Sequence, residues 1–560
     1  MALPAAQLKQ LVLDAKLVDS QKLAAAEAAA VTSDRPLSQI LVDQGLLSDA
    51  QLGQIIATAI KVPLVDLSKQ TIPEALYNLI PERLAHRYQV IAFARDTSGI
   101  KVAMADPTQT TVLQQLAKKT GAKIYAYYAT DADISTALLS YKKDLQKAVD
   151  DLLKEDIWTA KTIREDPPVA KIVDLMIDTA YQEKASDIHI EPQEDYSLVR
   201  FRIDGVLRDM VSAPKSLHDR IITRIKVISN LRTDEHLSAQ DGKMQIQLEE
   251  EDLDIRVSIV PIADGEKAVL RLLSSKSRQY TLTDLGMNET DLAKVTRAFG
   301  KSYGMILSTG PTGSGKTTSI YSILKILNIR EKNITTIEDP VEYRIKGANQ
   351  IQVNVKTNLT FANGLRSILR QDPNVIFVGE IRDAETAGIA VNAALTGHLV
   401  LSTLHTNDAA TAIPRLSDMK VEPFLVASTV TVIVAQRLVR KICSHCDKEI
   451  EGSLEELSKH FPPELIKATF TSKKLSLHQG QGCKICRNSG YHGRVGLFEV
   501  LEVSKSIRKL ITDKADSDVI TKSAIAEGMR TMLQDGLAKV AAGVTTVDEI
   551  LRVTKSEFLS

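Results

Sequence analysis

Gly310-Pro311-Thr312-Gly313-Ser314-Gly315-Lys316-Thr317 is a complete GxxxxGK(S/T) pattern, entered from the apolar run 305–307 and followed by the helical stretch 318–327. A strand, a glycine-rich turn and a helix in that order build a phosphate cradle. The glycines let backbone N–H groups curl round phosphates, the lysine reaches the β- and γ-phosphates, the threonine hydroxyl suits Mg²⁺, and the helix N-terminus adds its positive end. Gly310, Thr312, Gly313, Ser314, Gly315, Lys316, Thr317 and Thr318 are therefore the candidate ATP-binding set, with Thr317 the candidate Mg²⁺ ligand. A chance glycine-rich turn would lack the flanking strand and helix.

Such a loop needs a carboxylate to handle water and metal. The apolar run 374–378 ends in Gly379-Glu380, without the aspartate that usually holds Mg²⁺ there. Glu380 then either polarises water or holds the metal indirectly. An earlier run ends in Ile337-Glu338-Asp339-Pro340, which makes Glu338 the rival general base at the same carboxyl edge of the sheet. An N-cap or a surface acid is the plainer role for either. The segment Thr396-Gly397-His398-Leu399-Val400-Leu401-Ser402-Thr403-Leu404-His405 sets a histidine at each end of a third apolar strand, so His398 and His405 are candidate γ-phosphate sensors.

The chain of 560 residues is long enough for three or four domains. Its 70 basic residues balance 70 acidic ones and aromatics are only 4%, so neither bulk charge nor base-stacking side chains point to a nucleic acid. The longest strongly apolar stretch, 424–435, is short of the roughly 20 residues of a membrane span. Lys9 and Asp14 interrupt any signal-like N-terminus, so the expected location is the cytoplasm.

Residues 1–140 begin with helical spacing (Leu37, Leu41; Leu52, Ile55, Ile56) and turn mixed, with strand-like runs at 62–67, 90–93 and 100–103. A charged helix and linker follow at 141–168, closed by Pro167 and Pro168. Residues 169–280 read as an α+β second domain with strands at 187–190, 198–203 and 253–260. From 286 to 560, strands at 305–307, 334–337, 375–378 and 399–401 alternate with helices, the pattern of a mostly parallel sheet.

Cys443-Ser444-His445-Cys446 and Cys483-Lys484-Ile485-Cys486 are two CxxC knuckles, the ligand set of a closed, structural Zn²⁺ site within about 440–495. Four thiolates leave no open position, so the metal would fold a subdomain. A redox pair is the competing reading, but a thioredoxin-like context is missing.

From Val169 onward the chain resembles the secretion ATPase superfamily of type II secretion and type IV pilus assembly. The residues are Ala185-Ser186-Asp187-Ile188-His189-Ile190-Glu191-Pro192, Arg202-Ile203-Asp204-Gly205, the phosphate loop, the acidic box 338–343, Gly379-Glu380-Ile381-Arg382-Asp383, the two-histidine box and Gln436-Arg437-Leu438. The resemblance implies an α/β fold with a RecA-like motor domain, a PAS-like second domain and a zinc subdomain. It also implies a homohexamer acting on an inner-membrane platform protein and cytoplasmic assembly components, from the cytoplasmic face of the membrane. The family's nucleotide-contacting arginines fall on Arg256, Arg271, Arg366 and Arg370. One departure is Glu235-His236-Leu237-Ser238-Ala239 before Gln240-Asp241-Gly242, where the family is usually basic; His236 receives no role. The N-terminal module is similar to one that in some members binds cyclic di-GMP. Here Pro36-Leu37-Ser38 and Ala59 depart from the binding form, so docking within the same machine is the expectation. ATP, Mg²⁺ and structural Zn²⁺ are the expected cofactors, and pilus assembly the expected task. The alternatives are type II secretion, a nucleotide-gated scaffold with little turnover, and, against the charge balance, a nucleic-acid translocase.

Overall fold

The computed structural model describes residues 5–554 apart from 16–17, 34–35, 44–45, 68–69, 71, 78, 139–144, 160–167, 249–250, 275–279, 471–473 and 484. The chain divides into two compact units, Met1–Asp144 and Leu145–Ser560.

In the first unit, helices Ala5–Asp14, Ser20–Ser33, Leu37–Asp43 and Asp49–Ile60 bury Leu8, Val12, Leu23, Leu41 and Ile56 together. Ser48 and Gln51 form a capping box that starts the fourth helix. A three-stranded sheet follows in the order Val90–Asp96, Gly99–Met104, Ile124–Tyr128. The run 62–67, expected as a strand, is not one: only Leu64 bridges to Tyr128. Pro63 has no N–H to give, so its carbonyl takes Tyr128 N–H and Val65 returns one bond, both at 2.9 Å. Leu67 N–H then turns away to the Asp133 carboxylate.

The second unit opens with the helix Leu145–Thr159, within the stretch 141–168 expected as a charged helix and linker. It packs into the next domain: Leu145 and Val149 are buried in that core, and the Gln146 carboxamide exchanges two hydrogen bonds with the backbone of Ser212. Lys142, Lys143, Asp144 and Pro167 lie outside the described residues. The domain is a six-stranded antiparallel sheet, Val206–Pro214, Tyr196–Ile203, Asp187–Pro192, Gly265–Leu273, Asp252–Ile262, Gln240–Gln247. Helices Val169–Gln182 and Lys215–Ile228 share a core with one face through Ile172, Met176, Ile221 and Ile225. Strand alternation sends polar residues to the other face, where Arg202, Asp187, Arg271 and Arg256 stand opposite one another across four strands.

The last sheet has seven strands in the order Asn349–Gln352, Ile334–Glu338, Val375–Val378, Leu399–Leu404, Gly304–Thr309, Val430–Ile442, Tyr491–Glu502. Neighbours are parallel except the final pair. Both faces are covered, which is why these strands are continuously apolar. Ile306, Phe377, Leu401 and Val434 pack with the helix Lys316–Leu327; Leu307, Ile376, Val400 and Ala435 pack on the opposite side with helices Phe361–Ile368 and Ala384–Leu395. The apolar stretch 424–435 is a helix end followed by this core strand. No described helix is long and apolar enough to cross a membrane.

The helix Val547–Thr554 is held to the long strand Val430–Ile442 by Glu549, which is 1% exposed. Burial alone would raise the Glu549 pKa; hydrogen bonds from Arg552 and Arg440 outweigh it and hold the carboxylate at about 2. A depressed carboxylate pKa means that stability is present above the ordinary value of 4.5 and lost as pH falls toward 2. Glu549→Gln should therefore cost on the order of 3 kcal/mol at neutral pH. Calorimetry should find a lower melting temperature for the variant at pH 7, with the difference from wild type shrinking between about pH 4.5 and 2.

Candidate functional site

The strand Gly304–Thr309 delivers the loop 310–317 to the carboxyl edge of the seven-stranded sheet, and Gly315 caps the helix Lys316–Leu327 that leaves it. Gly310, Gly313 and Gly315 all have positive φ. Thr312 and Gly313 form the exposed tip, Thr317 and Thr318 are half-buried in the first helical turn, and Ser314 and Lys316 are buried. Lys316 Nζ donates to the carbonyls of Gly310 at 2.8 Å and Pro311 at 3.1 Å. Burial pushes its ammonium below the ordinary lysine value, and the negative charge of Glu380 partly offsets that.

Glu380 reaches this edge from the strand Val375–Val378, two strands away. The intervening strand fixes the turn that carries it: Thr403 Oγ1 donates to Gly379 O at 2.7 Å, and Ile381 N–H to Thr403 O at 3.1 Å. A glycine stands at 379 for a reason of space. A Cβ there would lie 3.2 Å from Glu338 Cα and 3.3 Å from Ile337 O on the neighbouring strand. The Glu380 carboxylate is nearly buried and meets Arg382 Nε at 2.5 Å and His405 Nε2 at 3.5 Å. His405 is held beside the loop by Thr406, whose backbone N–H and hydroxyl both reach Thr309 Oγ1, at 2.9 and 2.5 Å. Burial, and then the Lys316 charge, hold the His405 imidazole below its usual pKa, which favours the neutral ring.

Glu338 ends the adjacent strand at the same edge, but its carboxylate is enclosed. Tyr321, Thr336 and Gln350 all donate to it, Thr336 at 2.5 Å and Gln350 at 3.2 Å. Burial raises its pKa against those three donors. His398 is not brought to this edge at all. It precedes the strand Leu399–Leu404, whereas the loop follows the parallel strand Gly304–Thr309, and six residues at about 3.3 Å each separate the two ends. Its Nδ1 lies 2.9 Å from Ala393 O, at the end of the helix Ala384–Leu395.

The four arginines form two pairs, Arg256 and Arg271 on neighbouring strands of the second domain and Arg366 and Arg370 on one helix end, each with protein partners. Arg256 Nη2 donates to Val341 O at 2.7 Å, tying the second domain to the acidic box just beyond Glu338. Arg271 pairs with Asp187 at 3.0 Å, and Arg366 with Glu385 at 2.5 Å. Arg370 donates to Ser367 Oγ and Arg366 O. Residues that sequence reasoning gave no role now line the site: Tyr321 and Gln350 on Glu338, Arg382 on Glu380, and Gln436 beneath the loop. Arg382 and Gln436 did lie in quoted motifs; Tyr321 and Gln350 carry no signal in sequence, because only the fold brings them to Glu338.

The four cysteines converge. Their sulfur atoms all lie within 4.8 Å of one another, with Cys443–Cys483 at 3.9 Å, Cys446–Cys486 at 3.8 Å and Cys483–Cys486 at 3.7 Å. A tetrahedron with Zn–S bonds of about 2.3 Å has edges of about 3.8 Å, so the set fits one tetrahedral ion. Backbone N–H groups of Cys483 and Gly490 point at Cys486 Sγ, at 3.2 and 3.3 Å, as they do toward thiolate ligands. The knuckle also touches the second domain. Arg487 forks onto Glu183 at 2.9 and 3.2 Å, Arg208 reaches Cys486 O at 3.3 Å, and Gly493 N–H reaches Asp204 at 2.9 Å.

Comparison with known proteins agrees with this architecture. A model of the family described as type II/IV secretion system protein matches residues 162–552, and one of the MshEN domain matches residues 60–147. The type IV pilus assembly ATPase PilB of Myxococcus xanthus is 37% identical over 97% of this chain and 98% of its own length. The type II secretion system protein HxcR of Pseudomonas aeruginosa is 43% identical over 74% of this chain and 82% of its own length. The solved structure of the Legionella pneumophila ATPase DotB shares the α/β fold at a TM-score of 0.52 and 21% identity, covering 71% of this chain and 98% of that one. The phosphate loop, the carboxyl-edge acids, the tetracysteine cluster and the match over residues 162–552 together place the chain in the type II/IV secretion system protein family.

Proposed function

We propose that this chain is the ATPase motor of type IV pilus assembly, a hexamer that hydrolyses ATP at the cytoplasmic face of the inner membrane and drives a platform protein there. One observation carries the reading: a buried Lys316 and a nearly buried Glu380 carboxylate, whose charge it feels, lie at the same carboxyl edge of the sheet, behind a complete phosphate loop. Relatives named type IV pilus assembly ATPase PilB, aligned over 97 and 98% of the chain, support the pilus assignment.

In the proposed cycle Lys316 leaves the Gly310 and Pro311 carbonyls for the β- and γ-phosphates, and the Thr317 hydroxyl holds Mg²⁺, which would neutralise phosphate charge. Glu380 orients the attacking water and accepts its proton as the bond from the β,γ-bridging oxygen to the γ-phosphorus breaks. Neutral His405 beside Glu380 is a donor toward the γ-phosphate. Glu338 keeps its three donors and shapes the edge, which leaves Glu380 as the base. His398 supports the far end of the strand. Arg256, Arg271, Arg366 and Arg370 complete the site when the PAS-like second domain and motor domain close, within or between subunits, and exchange their present partners for phosphate. The tetracysteine set holds one structural Zn²⁺. The N-terminal unit is a docking module for other components of the machine.

The second reading, a type II secretion ATPase, is favoured by the higher identity to HxcR, though over a smaller share of the chain. Deleting the gene in its source organism separates the two: loss of surface pili with unchanged secreted enzymes supports assembly, and the converse pattern supports secretion.

Steady-state hydrolysis should rise with protein concentration as hexamers form, and DNA should not stimulate it. Glu380→Gln should keep nucleotide binding and lose at least about 100-fold in kcat. Lys316→Ala should lose binding itself. Equal, negligible turnover in wild type and Glu380→Gln would indicate a scaffold instead. Elemental analysis should find one zinc per chain, and Cys486→Ser should lose it and speed proteolysis within residues 440–495. Titration with cyclic di-GMP should give no binding heat, since Pro36-Leu37-Ser38 and Ala59 depart from the binding pattern.

A further inference from the structure

We propose that Gln436 is a positioning residue of the nucleotide site, whose carboxamide sets the shape of the phosphate loop and holds a donor in reserve for its nucleotide-bound form. The inference rests on the ATPase reading above.

Ala435 pairs with Thr309, so Gln436 lies one residue further along the strand Val430–Ile442, level with Gly310 where the loop begins. Its side chain is wholly buried. Oε1 accepts from Ser319 Oγ at 2.6 Å, on the first turn of the helix that the loop feeds, and Ser319 N–H donates to Gly315 O at 3.1 Å. Gln436 also presses on the loop at two glycines. Its main-chain carbonyl oxygen lies 2.4 Å from where a Cβ on Gly310 would stand, and its side-chain Nε2 lies 2.7 Å from the corresponding point on Gly315. The strand backbone thus crowds position 310, and the carboxamide itself crowds position 315. The residue touches the start of the loop, its last glycine and its helix, so the loop cannot change shape without moving against it.

Two polar groups here are unsatisfied. Gln436 Nε2 is buried without an acceptor, and Ser314 Oγ, inside the loop, is buried without a partner. Meanwhile Lys316 is bonded to two loop carbonyls. A buried amide left without an acceptor is costly, and such groups persist where another state satisfies them. When Lys316 turns to phosphate, the Gly310 and Pro311 carbonyls are released. The loop then has acceptors to offer, and Nε2, beside Gly315 at the end of the same loop, is a buried donor without one. Nucleotide binding would thus be favoured by a hydrogen bond that the nucleotide does not itself make, and Gln436 would act through the loop, never touching ATP.

The test compares wild type, Gln436→Leu, Gln436→Glu and Ser319→Ala by fluorescent ATP-analogue binding at pH 6 to 8, with melting temperatures with and without nucleotide. Gln436→Leu should bind about 10-fold or more weakly, while its nucleotide-free melting temperature changes little, because removal of the unsatisfied Nε2 offsets loss of the bond from Ser319. A purely structural glutamine would do the reverse, lowering the nucleotide-free melting temperature and leaving affinity alone. Gln436→Glu keeps the acceptor for Ser319 but has a donor only when protonated; its affinity should be low at pH 8 and recover toward wild type at pH 6, with Gln436→Leu flat across the range. Should Gln436→Leu fail to fold, Ser319→Ala, which frees the carboxamide from its anchor, should still bind several-fold more weakly. Wild-type affinity in Gln436→Leu, or in Ser319→Ala where that variant must stand in, overturns the proposal. Absence of nucleotide binding by wild type would overturn the ATPase reading on which it rests.

Discussion

Two parallel pairings hold the strand Gly304–Thr309, to Leu399–Leu404 on one side and to Val430–Ile442 on the other, and the chemistry at the sheet edge depends on both. Each pairing delivers a side chain to the phosphate loop. The first ends beside Thr309 with Thr406 clasped to its hydroxyl, which sets His405 near Glu380. The second ends with Gln436 beneath Gly310 and Gly315. Because the strand is buried on both faces, it has to be apolar, and all polar function is pushed to its end.

That edge distributes its carboxylates unequally. Glu338 and Glu380 stand one and two residues beyond the last paired level, Ile337 and Val378, of adjacent parallel strands, yet Glu338 is enclosed by Tyr321, Thr336 and Gln350 while Glu380 meets an arginine and a histidine and feels the charge of Lys316. Three neutral donors stabilise a fixed carboxylate; a neighbouring cation and an ionisable ring suit one that exchanges partners with substrate. The glycine at 379 lets the turn before Glu380 pass close to the Glu338 backbone, which a Cβ there would crowd at 3.2 Å.

Among the described residues, the second domain meets the motor through Arg256 at the acidic box and, separately, through the Cys483–Cys486 knuckle. The knuckle contact is stiff for a physical reason. Arg487 makes a two-pronged bond to a Glu183 carboxylate that is only 5% exposed, on a turn that the cysteine cluster closes. The Arg256 contact uses a single bond to a carbonyl and a 3.5 Å pairing with half-exposed Glu342. Of the two, the contact near the nucleotide edge is the easier to break.

What was legible in the sequence was local or periodic. The phosphate loop is contiguous, the CxxC knuckles announce their own ligands, and the parallel strands are unbroken apolar runs, so Lys316, the cysteines and four motor strands could be named from residues alone. The second domain's strands Val206–Pro214, Gln240–Gln247 and Gly265–Leu273 were missed, because half-exposed antiparallel strands rich in charge carry a weak pattern. Pro63 broke a run that looked like a strand. His398 and His405 flank one six-residue strand, Leu399–Leu404, and sequence spacing cannot tell which end meets the phosphate loop; strand direction, set by parallel pairing to Gly304–Thr309, puts His405 at that end. Thr336 apart, the enclosure of Glu338 and the wedge of Gln436 join residues 12 to 126 positions apart along the chain. Residue type and spacing determine which groups this protein has for phosphate, metal and water, because those chemistries need particular side chains; only packing decides which of them are free to act, because freedom depends on what stands within 4 Å.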